Sequence, residues 1–271
     1  MHCLPPALLS LILLTICSGA VSTTFTIVNK CNHPVWPGLL SGAGTPQLPT
    51  TGFLLQAGES KTIPVPPHWS GNMWGRTLCA TDSAGKFSCT TADCGSGTLE
   101  CAGRGPKPPA SLVEFTLDGA GGLDFFDVSL VDGFNLPVLI TPHGGTGVNC
   151  TATGCEENLN EGCPSELRAA EPDGQSVGCR SACDAFGGEQ YCCSGAFNSP
   201  QICKPTKYSL YFKSACPSAY SYAYDDATST FTCSDADYVI AFCPSPHGSE
   251  KSGQSPNMAP LSGESFASSN S

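Results

Sequence analysis

The chain has 271 residues, with 12 Lys and Arg against 23 Asp and Glu, so its formal net charge is −11. Such a surface repels nucleic acid and anionic lipid, which excludes both as partners. Only 13% of the residues are charged, while Gly (30) and Pro (23) abound, which excludes long amphipathic helices and favours short strands joined by turns.

In chain order, Met1–Ser22 holds no Lys, Arg, Asp or Glu and contains the apolar run Leu8–Ile16, followed by small residues. This pattern predicts a secretory leader at 1–22, with Ala20 and Ser22 at the small positions of a cut before Thr23. Strands are expected at Phe25–Asn29, at Val35–Trp36 before Pro37, at Phe53–Leu55, at Thr62–Val65 and at Met73–Thr77. Leu112–Leu117 and Leu123–Val131 form the clearest strand pair, linked by Asp118-Gly-Ala-Gly-Gly122. Face consistency sets their register, with Phe115 opposite Phe126 and Val113 opposite Val128. The same register puts Glu114 opposite Asp127 on the other face. A helical turn is expected at Ser181–Phe186, and late strands at Tyr208–Lys213 and Tyr238–Phe242. Residues 245–271, rich in Ser, Pro, Gly and Asn, are expected to be a disordered tail. No segment after the leader has the length and apolarity of a membrane helix.

Of the 18 cysteines, Cys3 and Cys17 leave with the leader and sixteen remain. An even, high count in an exported chain reads as disulfides, stapling the protein in place of one large core. Zinc could recruit pairs such as Cys89/Cys94 and Cys179/Cys183, but histidine is scarce and paired Cys-x-x-Cys motifs are missing, so no metal and no cofactor are expected. The adjacent Cys192-Cys193 is expected to bond to two different partners. Asn149-Cys150-Thr151 is an N-glycosylation sequon.

One stretch carries a family resemblance: Gly85-Lys-Phe-Ser-Cys89-Thr-Thr-Ala-Asp93-Cys94-Gly-Ser-Gly97-Thr-Leu-Glu-Cys101. Around it stand Trp74-Gly75-Arg76-Thr77, the run Asp124 to Pro137, Gln190-Tyr-Cys-Cys193 and the run Asp225 to Cys233. Together these resemble the thaumatin-like proteins, the fifth class of plant pathogenesis-related proteins, from about Thr23 to Pro244. The resemblance implies a mainly β fold: a flattened antiparallel sandwich with two small disulfide-rich lobes. It places the main body at 23–76, 110–156 and 216–244, one lobe at 77–109 and a loop and helix lobe at 157–215. It also implies eight bridges: Cys31–Cys243, Cys79–Cys89, Cys94–Cys101, Cys150–Cys233, Cys155–Cys216, Cys163–Cys179, Cys183–Cys192 and Cys193–Cys203. The longest of these would remove roughly 5 kcal/mol of denatured-state entropy, less any native strain.

The family has an acidic cleft, and its members fall here on Glu114, Asp127, Asp132 and Asp226. The strand register reaches the first two independently. Like charges directly opposite on a sheet are destabilising, so the Glu114/Asp127 pair needs a cation or a retained proton. The cleft of the family usually includes an arginine two residues before the Trp-Gly-Arg motif, where this chain has Asn72. Turn residues such as Asp132 before Gly133 and Asp225-Asp226 have a purely structural reading too, in which they satisfy loop amides. Trp36, Trp69, Trp74, Phe125, Phe134 and Tyr222 could offer sugar-stacking surface, with Phe125 on the same face as Asp127; Trp36 and Trp74 also read as core.

The resemblance implies a secreted plant defence protein, antifungal, in the apoplast or the vacuole, that binds fungal β-1,3-glucan through this cleft as a monomer. An alternative is a weak endo-β-1,3-glucanase with Glu114 as acid and Asp127 as its partner, since two neighbouring carboxyls are the equipment of glycoside hydrolysis. Inhibition of digestive enzymes is a third reading.

Overall fold

The computed structural model describes residues 23–171 and 174–244; the leader expected at 1–22 and the tail expected at 245–271 lie outside the described residues. The strands are β1 (Thr24–Asn29), β2 (Trp36–Ser41), β3 (Ser60–Pro64), β4 (Ser70–Thr81), β5 (Phe87–Thr91), β6 (Leu112–Thr116), β7 (Asp124–Ser129), β8 (Val138–Thr146), β9 (Thr153–Cys155), β10 (Arg168–Ala170), β11 (Ser176–Cys179) and β12 (Phe231–Phe242). The helices are short: α1 (Leu159–Gly162), α2 (Ala182–Phe186), α3 (Glu189–Cys192), α4 (Lys207–Ala215) and α5 (Asp226–Ser229).

The long strand β12 belongs to two sheets. Its first residues, Phe231–Cys233, pair with β7 and complete the order β2-β4-β6-β7-β12. Its remainder pairs with β8 on one side and, in parallel, with β1 on the other, adding β3 and β9. The switch falls at Asp235, whose φ of 56° breaks the extended backbone, as a strand turning a sandwich corner requires. The other ladders among the described residues are antiparallel.

Alternation then decides what faces inward. Phe115 and Phe126 of one sheet meet Phe25 and Tyr238 of the other, with ring centroids 4.5 Å apart for Phe25–Phe115 and 5.1 Å for Phe126–Tyr238. Trp69 closes the same cluster at 5.6 Å from Phe25. A continuous buried core therefore runs through the sandwich, correcting the expectation that bridges stand in for one. Its residues come from short strands scattered along the chain, none apolar enough alone to announce a core.

The bridges instead hold what the sheets do not. Cys79–Cys89 clasps the β4–β5 hairpin, and Cys94–Cys101 closes the loop after it. Cys163–Cys179, Cys183–Cys192 and Cys193–Cys203 organise the helical lobe, with Cys192 and Cys193 bonded to separate partners. Cys31–Cys243 ties the ends of β1 and β12 across 212 residues. Cys150–Cys233 fastens the β8–β9 loop to β12, and Cys155–Cys216 fastens the end of β9 to the residue after α4.

Three local expectations change. Tyr208–Lys213 lies in a helix, α4, because Thr206 and Ser209 form a reciprocal capping box, and Ser209 and Phe212 are buried while Leu210 is 53% exposed. The alternation of Tyr208, Leu210 and Phe212 mimicked a strand. The strand at Val35–Trp36 does not stop before Pro37: β2 runs through it to Ser41 because β2 lies at the sheet edge, where a missing N–H is tolerated. Phe53–Leu55 makes one isolated bridge, Val35 with Leu55, and Gly52 just before it bridges Gly38, so the segment forms no ladder. The register of β6 on β7 is as the faces require, with Phe115 opposite Phe126 and Glu114 opposite Asp127.

Candidate functional site

On the outer face of the first sheet a row of cross-strand neighbours, polar from β4 to β7, crosses the strands. Leu40 of β2 pairs with Asn72 of β4, Asn72 with Glu114 of β6, and Glu114 with Asp127 of β7. The inward residues on either side, Val113, Phe115, Phe126 and Val128, are all core. Strict period-two geometry therefore presses the two acids against a sheet whose far side is dry.

The row forms the floor of a furrow with two hollows of ≈ 400 Å³ each, and Glu114 and Asp127 line both. The first hollow extends past Phe125, Thr116 and Ser70. The second holds Asp132, Tyr220 and Asp226. All four acids named from the sequence therefore surround one hollow, while Phe125 faces the other.

Each wall is positioned by its own device. Asp132 sits in the turn after β7, followed by Gly133 at φ +88°, where a Cβ would come within 2.7 Å of the Cys179 carbonyl oxygen. Only glycine allows the turn to close on the helical lobe at that backbone conformation. Asp226 opens α5, and its Oδ1 accepts from the Tyr220 hydroxyl at 2.9 Å. Tyr220 is itself sewn to β7 by the bonds Tyr220 N to Val128 O and Leu130 N to Tyr220 O. Next door, Asp225 Oδ2 accepts from Ser221 N and Ser221 Oγ and pairs with Lys213 Nζ at 2.9 Å.

The floor has no such compensation: among the described residues the salt bridges are Lys213–Asp225 and His68–Asp118, and neither reaches it. Burial pushes the Asp127 carboxyl up to about 8, helped by the Glu114 charge, by a hydrogen bond to Glu114 and by the Asp226 charge. Burial also raises Glu114, as does the charge of Asp132, while hydrogen bonds from Asp127 and Asn72 pull it back. With Asp127 held up to about 8 and a hydrogen bond between the two carboxyls, the pair retains a proton at neutral pH. Asp127 Oδ2 is buried without a partner. Asp132 is raised by burial and by the charge of Asp184.

The aromatic candidates divide. Trp69, Trp74 and Phe134 are fully buried, with Trp69 Nε1 donating to Ser41 Oγ and Trp74 Nε1 to the Ala92 carbonyl, so none offers a ring to a ligand. Trp36 is half-buried, and Tyr222 is half-buried beside the helical lobe. Phe125 is half-buried on the furrow side. Arg76 is buried away from the furrow, where it donates to the carbonyls of Trp36, Pro37 and Leu99, and burial lowers it to about 10. Asn149 is exposed. Tyr220 and Lys213 escaped sequence reasoning, because each acts through partners brought close only by the Cys155–Cys216 bridge and the β7 bonds.

Against known proteins, the model of the Thaumatin family matches residues 29–244. Thaumatin-like protein 1 of Pyrus pyrifolia is 54% identical over 237 residues, covering 87% of this chain and 97% of that protein. Pathogenesis-related thaumatin-like protein 3.5 of Cryptomeria japonica is 56% identical over 226 residues, covering 83% and 92%. Among solved structures, a laminaripentaose-producing β-1,3-glucanase in complex with laminaritetraose aligns with TM-score 0.51 at 13% identity, over 81% of this chain and 98% of that one. At that identity the likeness is one of fold.

Proposed function

The chain belongs to the thaumatin family, and from that premise we propose that it is a secreted plant defence protein that binds β-1,3-glucan along the acidic furrow. The observation that carries this reading is the carboxyl pair shared by both hollows, with Asn72 at its side and Phe125 on the same face. The carboxyl oxygens of the pair offer acceptors, and the Asn72 amide a donor, to the hydroxyls of a neutral sugar chain. Two hollows joined at the Glu114/Asp127 pair give the furrow a length that suits a polymer rather than a small molecule. Phe125 offers a ring to a sugar C–H face.

The same pair favours binding over hydrolysis. A retaining hydrolase holds its acid and its ionised nucleophile about 5–5.5 Å apart, on either side of the scissile bond. Here the proton is held between the two carboxyls by a hydrogen bond.

The test is retention on insoluble β-1,3-glucan at pH 6. Asp127→Ala and Phe125→Ala are each expected to weaken it several-fold, and retention by the wild type should fall above about pH 8 as the pair gains its second charge. Wild-type protein that passes through unretained ends the proposal. Release of reducing ends from a soluble β-1,3-glucan, abolished by Glu114→Gln, would replace it with the hydrolase reading.

A further inference from the structure

The furrow leaves one motif of the sequence unused, the sequon Asn149-Cys150-Thr151, and no other Asn of the chain has Ser or Thr two residues on. It falls in the loop between β8 and β9, and that loop projects: Val148 is 100% exposed, and Asn149 and Thr151 are exposed beside it. Turn asparagines ordinarily bond a nearby backbone group through their side chain. Among the described residues the Asn149 side-chain amide has no such partner, although its backbone carbonyl accepts from Thr151 N at 2.9 Å. The amide nitrogen is therefore free for chemistry.

The middle residue of the sequon is pinned instead. Cys150 is half-buried and bonded to Cys233, which is fully buried in β12. The backbone follows it inward: Cys150 N donates to Gly147 O, and a Cβ on Gly147 would come within 3.1 Å of the Thr232 carbonyl oxygen. A glycosyl transferase must draw all three sequon residues into its own site, and the closed bridge holds the central one against β12. Bridge and glycan thus compete in time. Cys233 lies 83 residues beyond Cys150, so a growing chain takes about 4–17 s to make the native partner. The earlier pairs Cys79–Cys89 and Cys94–Cys101 close over only 10 and 7 residues, among themselves.

We propose that Asn149 carries an N-linked oligosaccharide and that the Cys150–Cys233 bridge is its gate, open while the chain is being made and closed once it has folded. The donor is an oligosaccharide on a polyprenyl diphosphate. The Asn149 amide nitrogen attacks C1 of the first sugar; the N–C1 bond forms as the C1–O bond to phosphate breaks. The diphosphate leaves with the electron pair, and the amide nitrogen gives up a proton. The inference rests on the secreted reading, since the donor belongs to the secretory lumen, and is independent of glucan binding.

The test is peptide mass spectrometry on the full chain, expressed with its own leader in plant cells and recovered from the medium. Most molecules should carry a glycan at Asn149, which a peptide N-glycosidase removes with deamidation of that residue. Thr151→Ala should lose the glycan entirely while still reaching the medium. Secreted wild type with an unmodified Asn149 overturns the proposal and leaves secretion standing; a chain that keeps its leader and stays in the cytosol overturns both. The gate has its own arm, in which glycan-free protein with all eight bridges is offered to the membrane-bound transferase and its lipid-linked donor. The bridged form should accept no glycan, and the same protein reduced and unfolded should accept one. Transfer to both forms, or to neither, overturns the gate.

Discussion

The floor and the corner of the furrow both crowd two carboxyls together, yet they treat the charge in opposite ways. At the corner, Asp225 beside Asp226 is met by Lys213 at 2.9 Å and by the Ser221 amide and hydroxyl, so its negative charge is fully partnered. At the floor, Glu114 and Asp127 have no cation and keep a proton instead. Where a carboxylate serves the architecture, this protein supplies donors and a counter-charge. Where it does not, burial is left uncompensated and the pair stays available to something else.

Breaking the corner should have the largest effect. Lys213 also donates to the Ala219 carbonyl and to Ser229 Oγ, so it ties α4 to the segment that presents Asp226. Lys213→Met leaves Asp225 largely buried and unpaired, at a cost of about 3 kcal/mol. In a domain of this size that lowers Tm by roughly 6–12 °C. The double variant Lys213→Met/Asp225→Asn should recover most of the loss in thermal melts, and an unchanged Tm in the single variant would show the corner to be as uncompensated as the floor.

The floor should respond with the opposite sign. Because the folded-state pKa of Asp127 is raised to about 8, the folded protein binds a proton that the unfolded chain releases near its ordinary value of about 3.9. Stability is therefore greatest below that value and falls as pH rises toward 8. Asp127→Asn removes the titration. Melting curves should show it indistinguishable from the wild type at pH 3.5 and more stable at pH 9, by on the order of 1–3 kcal/mol. A variant less stable than the wild type at pH 9 would mean that the pair is structural after all.

The floor was legible in the sequence and the corner was not, for a physical reason. Two strands joined by a short turn have a register set by local alternation, so Glu114 opposite Asp127 follows from which residues are apolar. The sandwich core follows less readily, since Phe25, Phe115, Phe126 and Tyr238 come from separate strands and meet only after β12 bends at Asp235. The corner depends on α4, whose alternating aromatics read as a strand until the Thr206 cap is considered, and on a hydroxyl bond from Tyr220 that no spacing announces.

The smallest change tests why the floor holds its proton. Asn72 faces Glu114 across β4 and β6 and donates a hydrogen bond to it, which is weaker support for an anion than a guanidinium gives. Asn72→Arg would place a cation beside Glu114. A cation favours the ionised form, so the pair should titrate about one pH unit lower, worth about 1.4 kcal/mol. The fall in stability across pH 4–8 should then flatten by that amount, in the direction of Asp127→Asn but short of it. Carboxyl-carbon NMR titration reads the shift directly. If the pair titrates in the variant as it does in the wild type, desolvation alone holds the proton, and Asn72 is no more than a neighbour of the floor. If the titration moves but glucan retention does not, the proton is a property of the sheet rather than of the binding surface, and the furrow must hold its ligand through Phe125 and the outer wall.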